Sequence, residues 1–239
     1  MNKIALSEIG ASALLVLGLT ACSGQTPSVD ASLPAPPTQT EIPYRTYPKA
    51  ELTKMIGDVR DSNDVRLLAM PDDRLEDTMA QLQSVIANST VQPSVCADFA
   101  TGGGVQFEEG AVLSIGASAS SNNDSAQLLT LISGVPEEKV KAVAADKATE
   151  LAGCTEIQMS VMGQTINAST KAIPTSAETP GAVAYRTTMG GTGGAQDQLV
   201  VTAVKSGVVL ISQSAGSKVA DSDLPKIETM LDQAADLIK

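Results

Sequence analysis

The sequence predicts an α+β domain: a largely antiparallel meander of about five to six strands, with helices packed on one face, and one disulfide. Three observations indicate this class. Four segments repeat apolar residues at helical spacing, and the second half of the chain alternates apolar and polar residues in short runs. Two cysteines lie within the same region. Residues 48–239 have a length that suits one domain, and no internal repeat divides them.

The four helical segments begin near proline or acidic residues. The first is short and covers residues 48–55. The second covers residues 71–86 and carries carboxylates in its first turn, where the helix dipole favours anions. The third covers residues 136–151 and ends at Gly153. The last covers residues 222–238 and repeats apolar residues along one face, which predicts that this face is buried.

The strands are predicted mainly in the second half of the chain. Five segments alternate or run apolar between turn residues: 156–162, 165–173, 182–189, 199–204 and 208–212. Lys205-Ser206-Gly207 joins the last two as a hairpin, and Gly190–Gly194 joins the third to the fourth. Residues 111–117 and 125–133 are further candidates.

The composition excludes several functions. The 239 residues include no His and no Trp, which rules out Ser-His-Asp and Cys-His catalysis, His-ligated zinc and a histidine pH switch. The net charge of -11 and an aromatic content of 2% argue against nucleic-acid binding, which needs cationic and stacking side chains. Because 43% of the residues are apolar, the chain is nevertheless able to form a core.

The N-terminus predicts export and a lipid anchor. Residues 1–21 have the form of a signal peptide, with Lys3 before an apolar stretch over residues 11–19. Leu19-Thr20-Ala21-Cys22 resembles the bacterial lipobox, in which the thiol is alkylated by diacylglycerol and a peptidase cuts before the cysteine. Two acyl chains give durable attachment, so we expect Cys22 to anchor the protein on the extracytoplasmic face of the cell membrane. The alternative is an ordinary secretory signal with a chance cysteine.

A tether is predicted to follow the lipidated cysteine over residues 22–47. This segment is rich in Pro, Ser and Thr and lacks helical or strand periodicity. We expect it to hold the domain away from the membrane.

The two remaining cysteines predict a disulfide. In an oxidising extracytoplasmic space paired thiols persist as disulfides, and Cys96 and Cys154 remain once Cys22 is lipidated. The alternatives are two buried free thiols or a metal pair. Two cysteines without histidine, 58 positions apart, make a poor metal site, so we predict no metal.

Motifs for catalysis or ligand binding are weak or missing. The run Gly190–Gly194 lacks the Gly-Lys-Ser/Thr ending of a phosphate loop and precedes a strand, which favours a mobile hairpin loop. There is no SxxK or GxSxG motif. An acidic cluster resembles a calcium loop but lacks its turn glycine and its twelfth-position glutamate, which favours a solvated loop: Asp58, Asp61, Asn63 and Asp64.

Two other groups of carboxylates have simpler explanations than catalysis. Asp72, Asp73, Glu76 and Asp77 are best explained as the start of a helix. Glu108 and Glu109 are expected to be exposed. We therefore predict no catalytic residues, no cofactor and no enzymatic activity, with a carboxylate hydrolase as a minor alternative.

The order of cysteines and elements resembles a known family. Pro93-Ser-Val-Cys96 precedes a strand, a helix of about 16 residues, Cys154 directly after that helix, and a meander closed by an amphipathic helix. This order is similar to the extracellular sensor-domain family of the mycobacterial kinase PknH, which also occurs in actinobacterial lipoproteins. The resemblance covers roughly residues 48–239. It implies an α+β domain with a cleft for an unknown ligand, and it brings no catalytic residues.

Together these observations predict a membrane-anchored, extracytoplasmic, non-enzymatic domain that binds a ligand or acts as a sensor. The ligand would lie between the sheet and the long helices, or near residues 190–194. Since few aromatic side chains are present, we expect a small apolar molecule or an envelope protein rather than a nucleotide or sugar. The alternative is a structural or assembly lipoprotein that binds a cell-envelope protein through its exposed sheet face.

Overall fold

A single antiparallel sheet organises the part of the chain that the structure describes. The computed structural model describes residues 44–100, 104–119, 125–161, 163–191 and 194–239. Its strands are arranged in the order β1-β3-β4-β9-β8-β7-β6-β5-β2, and every neighbouring pair is antiparallel. The strands are β1 Leu68–Ala69, β2 Ser89–Gln92, β3 Val112–Ala117, β4 Ser125–Ser133, β5 Glu156–Val161, β6 Gln164–Ile173, β7 Val183–Gly191, β8 Gly194–Lys205 and β9 Val208–Gly216.

The described residues hold nine strands, so the expected five to six is an undercount. The α+β class and the antiparallel meander are confirmed. Two of the missed strands are the sheet edges: β1 has two residues and β2 has four. Segments this short show too few alternations to predict a strand, and they form because a neighbouring strand offers free backbone groups.

Five α-helices accompany the sheet in these residues, and four of them lie where the sequence predicts helices. The helices are α1 Lys49–Asp58, α2 Asp72–Ala87, α3 Ala97–Ala100, α4 Glu137–Gly153 and α5 Leu224–Leu237. Prolines 48, 71 and 136 stand immediately before α1, α2 and α4, where a missing N–H removes no helical hydrogen bond. The four-residue helix α3 was not predicted, because it is too short for a periodic pattern.

The helices cover both faces of the sheet, so the prediction that they pack on one face is wrong. Helices α1 and α5 share a core with Leu131 and Leu210. On the opposite face Ile132 and Val209, which alternate with those leucines, pack beneath α4. The unbroken apolar run of β9 is therefore the sign of a strand that is buried on both sides.

The predicted hairpin between β8 and β9 is confirmed, and its turn holds the N-terminal end of the domain. Ser206 and Gly207 have φ values of 46° and 82°, as a two-residue hairpin turn requires. The backbone N–H of Arg45 donates to the carbonyl of Ser206 at 3.0 Å. A side chain at position 207 would lie 2.8 Å from the ring of Tyr44, so only glycine fits this contact.

The domain begins earlier than the sequence predicts. Tyr44 and Tyr47, which fall within the predicted tether 22–47, both pack on the folded domain. Tyr47 is buried, and its hydroxyl donates to the carbonyl of Lys239 at 2.6 Å. The hydroxyl of Tyr44 donates to the carbonyl of Val135. The aromatic rings carry this segment into the core, whereas its prolines had suggested a linker.

Two carboxylates of α5 hold the loop between β6 and β7. Glu228 is buried and accepts hydrogen bonds from the Thr175 hydroxyl at 2.7 Å, the Ser176 N–H at 2.8 Å and the Ser176 hydroxyl at 2.6 Å. Asp232, one turn later, accepts from the N–H and the hydroxyl of Thr179 at 2.9 and 2.7 Å. The pair fixes a loop that has no secondary structure of its own.

Candidate functional site: a cleft between the sheet and helix α4

A cleft lies on the α4 face of the sheet. It consists of two adjacent cavities with volumes of about 190 and 230 Å³, and Tyr185 and Ile211 line both. Helix α4 forms one side, and the short helix α3 forms another. The larger cavity opens over strands β5 to β9, whose floor residues are Ile157, Met159, Ala168, Thr170, Thr187, Met189, Gln198, Val200 and Gln213.

Strand alternation builds this floor. Side chains two residues apart share a face of a strand, so Ile157 and Met159 point to the same side, as do Gln198 and Val200. The polar members of the floor are already paired with one another. The Gln198 amide donates to the Gln213 side-chain oxygen at 2.7 Å. The floor therefore presents a mainly apolar surface to a ligand.

The disulfide fixes the wall of the cleft. Cys96 and Cys154 are bonded, and their Cα atoms lie 5.7 Å apart. This bond ties the segment before α3 to the end of α4, and both cysteines are buried with Phe99 and Ile157. The ring centroid of Phe99 lies 5.5 Å from that of Tyr185. The disulfide thus positions the aromatic side chain that closes the cleft against the floor.

A buried lysine of α4 lines the smaller cavity of the cleft. Lys147 is 8% exposed, and its ammonium group lies 2.9 Å from the Glu150 carboxylate and 5.0 Å from the centroid of the Phe99 ring. A charge at such a position needs a partner, which Glu150 and the ring face supply. In the smaller cavity the α4 wall combines the apolar side chains of Ala142 and Val143 with the charged side chains of Lys139, Lys147 and Glu150.

Tyr185 gives the cleft a neutral hydroxyl group. Burial, and to a lesser degree the nearby Glu150 carboxylate, raises the pKa of Tyr185 to about 12. The phenol is therefore protonated at all physiological pH values and can donate a hydrogen bond. Among the described residues its hydroxyl has no hydrogen-bond partner. A ligand with an acceptor atom would satisfy it.

Of the residues singled out in the sequence, the structure brings the two cysteines to the cleft. The predicted disulfide is present. Cys22, the predicted lipidation site, lies outside the described residues. Gly190 and Gly191 end β7 and Gly194 begins β8, so strands extend into the predicted Gly190–Gly194 loop from both sides.

The acidic residues considered in the sequence lie outside the cleft or take part in local hydrogen bonds and ion pairs. Asp61 was expected in a solvated loop, but it is 5% exposed and accepts hydrogen bonds from the N–H groups of Asn63 and Val65 and from the Ser118 hydroxyl. Asp72 begins α2, as predicted. Glu108, expected to be exposed, is half-buried and lies 3.3 Å from Lys139. In the described part of the chain no three His, Cys, Asp or Glu side chains come close enough to hold a metal ion.

Lys147 and Tyr185 are the site residues that sequence reasoning missed. Lys147 occupies the apolar stripe of α4, seven residues after Val140 and four before Leu151. A lone cation within such a stripe indicates a charge that is buried or faces a cavity. Tyr185 gave no comparable signal, because alternation assigns it a face of the sheet without showing that a cleft opens there.

The fold has been seen in a solved structure. The extracellular domain of PknH from Mycobacterium tuberculosis superposes with a TM-score of 0.50 at 11% identity, and the match covers 81% of this chain and 99% of that one. The two chains share a fold. This likeness confirms the resemblance to PknH at the level of architecture, over the span that the sequence indicated.

A second solved structure is more distant. The ortholog of Rv0999 from Mycobacterium smegmatis matches with a TM-score of 0.40 at 12% identity, over 72% of this chain and 85% of that one. No family model matches the sequence, and no curated protein matches it. Across the described residues, no helix is both long and apolar enough to cross a bilayer.

Proposed function

We propose that the protein is an extracytoplasmic, lipid-anchored, non-enzymatic binding domain with a sensor-like role, whose ligand occupies the cleft between the sheet and α4. The cleft itself is the observation that carries the proposal. It joins a broad apolar floor to the Tyr185 hydroxyl and the Lys147 ammonium group. The fold shared with the PknH extracellular domain is consistent with this role.

The cleft favours a small ligand that is apolar over most of its surface. Each cavity is below the roughly 300 Å³ at which sites for drug-sized molecules begin. Most floor groups are apolar or already hydrogen-bonded, which penalises a ligand with many polar atoms. One acceptor atom at one end of the ligand would pair with Tyr185.

The cleft residues favour binding over catalysis. Three ionic side chains that line the cleft are held in ion pairs, since Lys147 pairs with Glu150 and Lys139 with Glu108. The pKa of Tyr185 is raised, which makes the phenol a poor base at neutral pH. No activated nucleophile lies among the cavity-lining residues.

Calorimetric titration with octan-1-ol tests the cleft as a binding site. The chain carries Cys22→Ser so that no acyl chain competes. We expect saturable binding that Ala168→Leu weakens about tenfold or more, because the added side chain fills the larger cavity. Ser169→Leu is the matched control, since Ser169 follows Ala168 on the same strand, points to the opposite face of the sheet and is exposed. Absence of binding, or equal weakening by both variants, would defeat the proposal.

Lipid anchoring is tested separately through Cys22. The lipobox-like Leu19-Thr20-Ala21-Cys22 supports the anchor, because the thiol is the acceptor for the acyl-bearing group. We expect Cys22→Ala to move the protein from the membrane fraction to the soluble fraction of the cell envelope. If the variant stays with the membrane in high salt, the anchor lies elsewhere.

A further inference from the structure

A second groove, lined by residues other than those of the cleft, lies between α2 and the part of β3 that β1 leaves unpaired. We call it the α2 groove. Its volume is about 650 Å³, larger than either cavity of the cleft, and its walls include Leu75, Glu76, Met79, Phe107, Val112 and Leu113. We propose that it binds an extended, basic segment of a partner protein, which adds a strand beside β3.

Helix α2 exposes an apolar stripe that this domain covers only in part. Of its sixteen residues Leu75 alone is buried, and Met79 is half-buried one turn later. Leu82 continues the stripe and is 39% exposed. An amphipathic helix normally buries such a stripe, so the α2 groove is an apolar surface that remains available to a partner.

The opposite wall of the groove is an open strand edge. The Met70 N–H donates to the Ile115 carbonyl at 2.8 Å on the outer side of β3, whereas the Ser118 N–H donates to Gln127 in β4 on the inner side. Backbone groups alternate between the two sides, so those of Leu113 point outward. Strand β1 pairs with Gly116 and Ala117 only, and in the described residues no backbone group pairs with the outward side of Leu113.

Pro71 explains why this edge is open. Continuing β1 beyond Met70 would bring its next residues alongside Leu113. Instead the chain turns at Pro71 and begins α2 at Asp72, so pairing with β3 ends at Met70. The space that β1 leaves lies between α2 and β3, and it is where an added strand would find hydrogen-bond partners.

The charges around the groove favour a basic partner. Asp73, Glu76 and Asp77 are exposed on the first turns of α2, against the single cation Arg74 in that stretch. Lys49, which also lines the groove, lies 2.9 Å from Asp72 and is thereby neutralised. The whole chain carries a net charge of -11. An extended segment with alternating apolar residues and flanking Lys or Arg matches the walls and their charge.

Fluorescence anisotropy with short labelled peptides tests the proposal on the full chain carrying Cys22→Ser. The probe is the basic strand-forming peptide KVTVTVK. Two matched control peptides are used. In one, glutamates replace the lysines, and in the other, alternate backbone nitrogens are methylated. We expect the basic probe to bind at least about tenfold more tightly than either, because the acidic probe is repelled and the methylated one cannot pair with β3.

Two charge-reversal variants locate the site. Glu76→Lys should weaken binding of the basic probe about fivefold. Asp77→Lys makes the same charge change at a residue that does not line the groove, and its effect on binding should be clearly smaller. Circular dichroism confirms that each variant is folded. The Met79 methyl resonance should shift when the probe binds. This readout does not depend on any variant.

Several outcomes would overturn the proposal. Equal binding of the methylated and unmethylated probes would show that β3 does not pair with the peptide. Tighter binding of a basic helical peptide would assign the groove to a helix. Self-association of the chain at high concentration with loss of probe binding would assign it to a second copy. No binding of the basic probe would also refute it.

Discussion

Ser212 is a buried residue whose hydroxyl has no hydrogen-bond partner among the described residues. It lies on the α1 and α5 face of β9, opposite Leu129 of β4 and Val201 of β8. An unpaired hydroxyl in an apolar core opposes folding, because water is lost and nothing replaces it. Ser114 on the same face differs, since its hydroxyl lies 3.2 Å from that of Thr53.

The two serines should respond in opposite ways to alanine. We expect Ser212→Ala to raise the free energy of unfolding by about 1 kcal/mol, and Ser114→Ala to lower it by about 1 kcal/mol. Urea denaturation of both variants measures the difference. If Ser212→Ala destabilises the protein as much as Ser114→Ala does, the Ser212 hydroxyl has a partner in solution.

Tyr185 makes the stability of the domain depend on alkaline pH. Its pKa rises from 10.0 in the unfolded chain to about 12 in the folded one, so folding retains a proton that the unfolded chain has released. The stabilising contribution is complete below pH 10 and is lost as the pH rises towards about 12. Between about pH 9 and pH 11 we expect the wild type to lose about 1 kcal/mol more stability than Tyr185→Phe.

Urea titrations of both proteins at the two pH values measure this loss. Because the other titrating groups are common to both chains, the difference between them isolates Tyr185. An equal loss in the two proteins would show that the phenol is solvated in the folded state.

At the scale of elements, α5 holds the β6–β7 loop through Glu228. Removing this buried carboxylate breaks the three hydrogen bonds that it accepts from Thr175 and Ser176. We expect Glu228→Ala to lower the free energy of unfolding by about 3 kcal/mol and to speed hydrogen exchange at the Ser176 amide. Asp236→Ala is the control, because Asp236 is exposed on the same helix and should change stability by less than about 0.5 kcal/mol. Similar effects of the two substitutions would refute the role of Glu228.

The disulfide joins two elements that are distant in sequence. Its cysteines are 58 positions apart, and a closed loop of this length restricts the unfolded chain strongly. We expect replacing Cys96 and Cys154 by serine to lower the free energy of unfolding by about 4 kcal/mol. Thermal and urea denaturation of the double variant measure it. A loss below about 1 kcal/mol would mean that packing alone fixes α3 against α4.

The elements also show what local sequence can predict. Helices α1, α2, α4 and α5 follow from proline starts and apolar stripes, and the β8–β9 hairpin follows from its Ser206-Gly207 turn. Strands β1 and β2 could not be predicted, because pairing with a distant neighbour defines them. The packing of helices on both faces of the sheet could not be predicted either. A short apolar run such as that of β9 is compatible with a strand buried on both faces and also with a buried helical segment.

At the scale of the whole molecule, the domain has two potential binding surfaces of different character. The cleft beneath α4 is small and largely apolar, whereas the α2 groove is open, acidic and beside a free strand edge. The disulfide was predictable from the cysteine count. The cleft was not, because Tyr185, Lys147 and Phe99 come together only through the packing of α3 and α4 on the sheet.

Methyl NMR of the methionines tests the cleft most directly. Met159 and Met189 line the cleft, Met79 lines the α2 groove, and Met230 lies on the buried face of α5. When octan-1-ol is added to the chain carrying Cys22→Ser, we expect the Met159 and Met189 resonances to shift in a saturable way while those of Met79 and Met230 stay in place. A shift confined to Met79, or no saturable shift at Met159 and Met189, would contradict the assignment of the cleft as the ligand site.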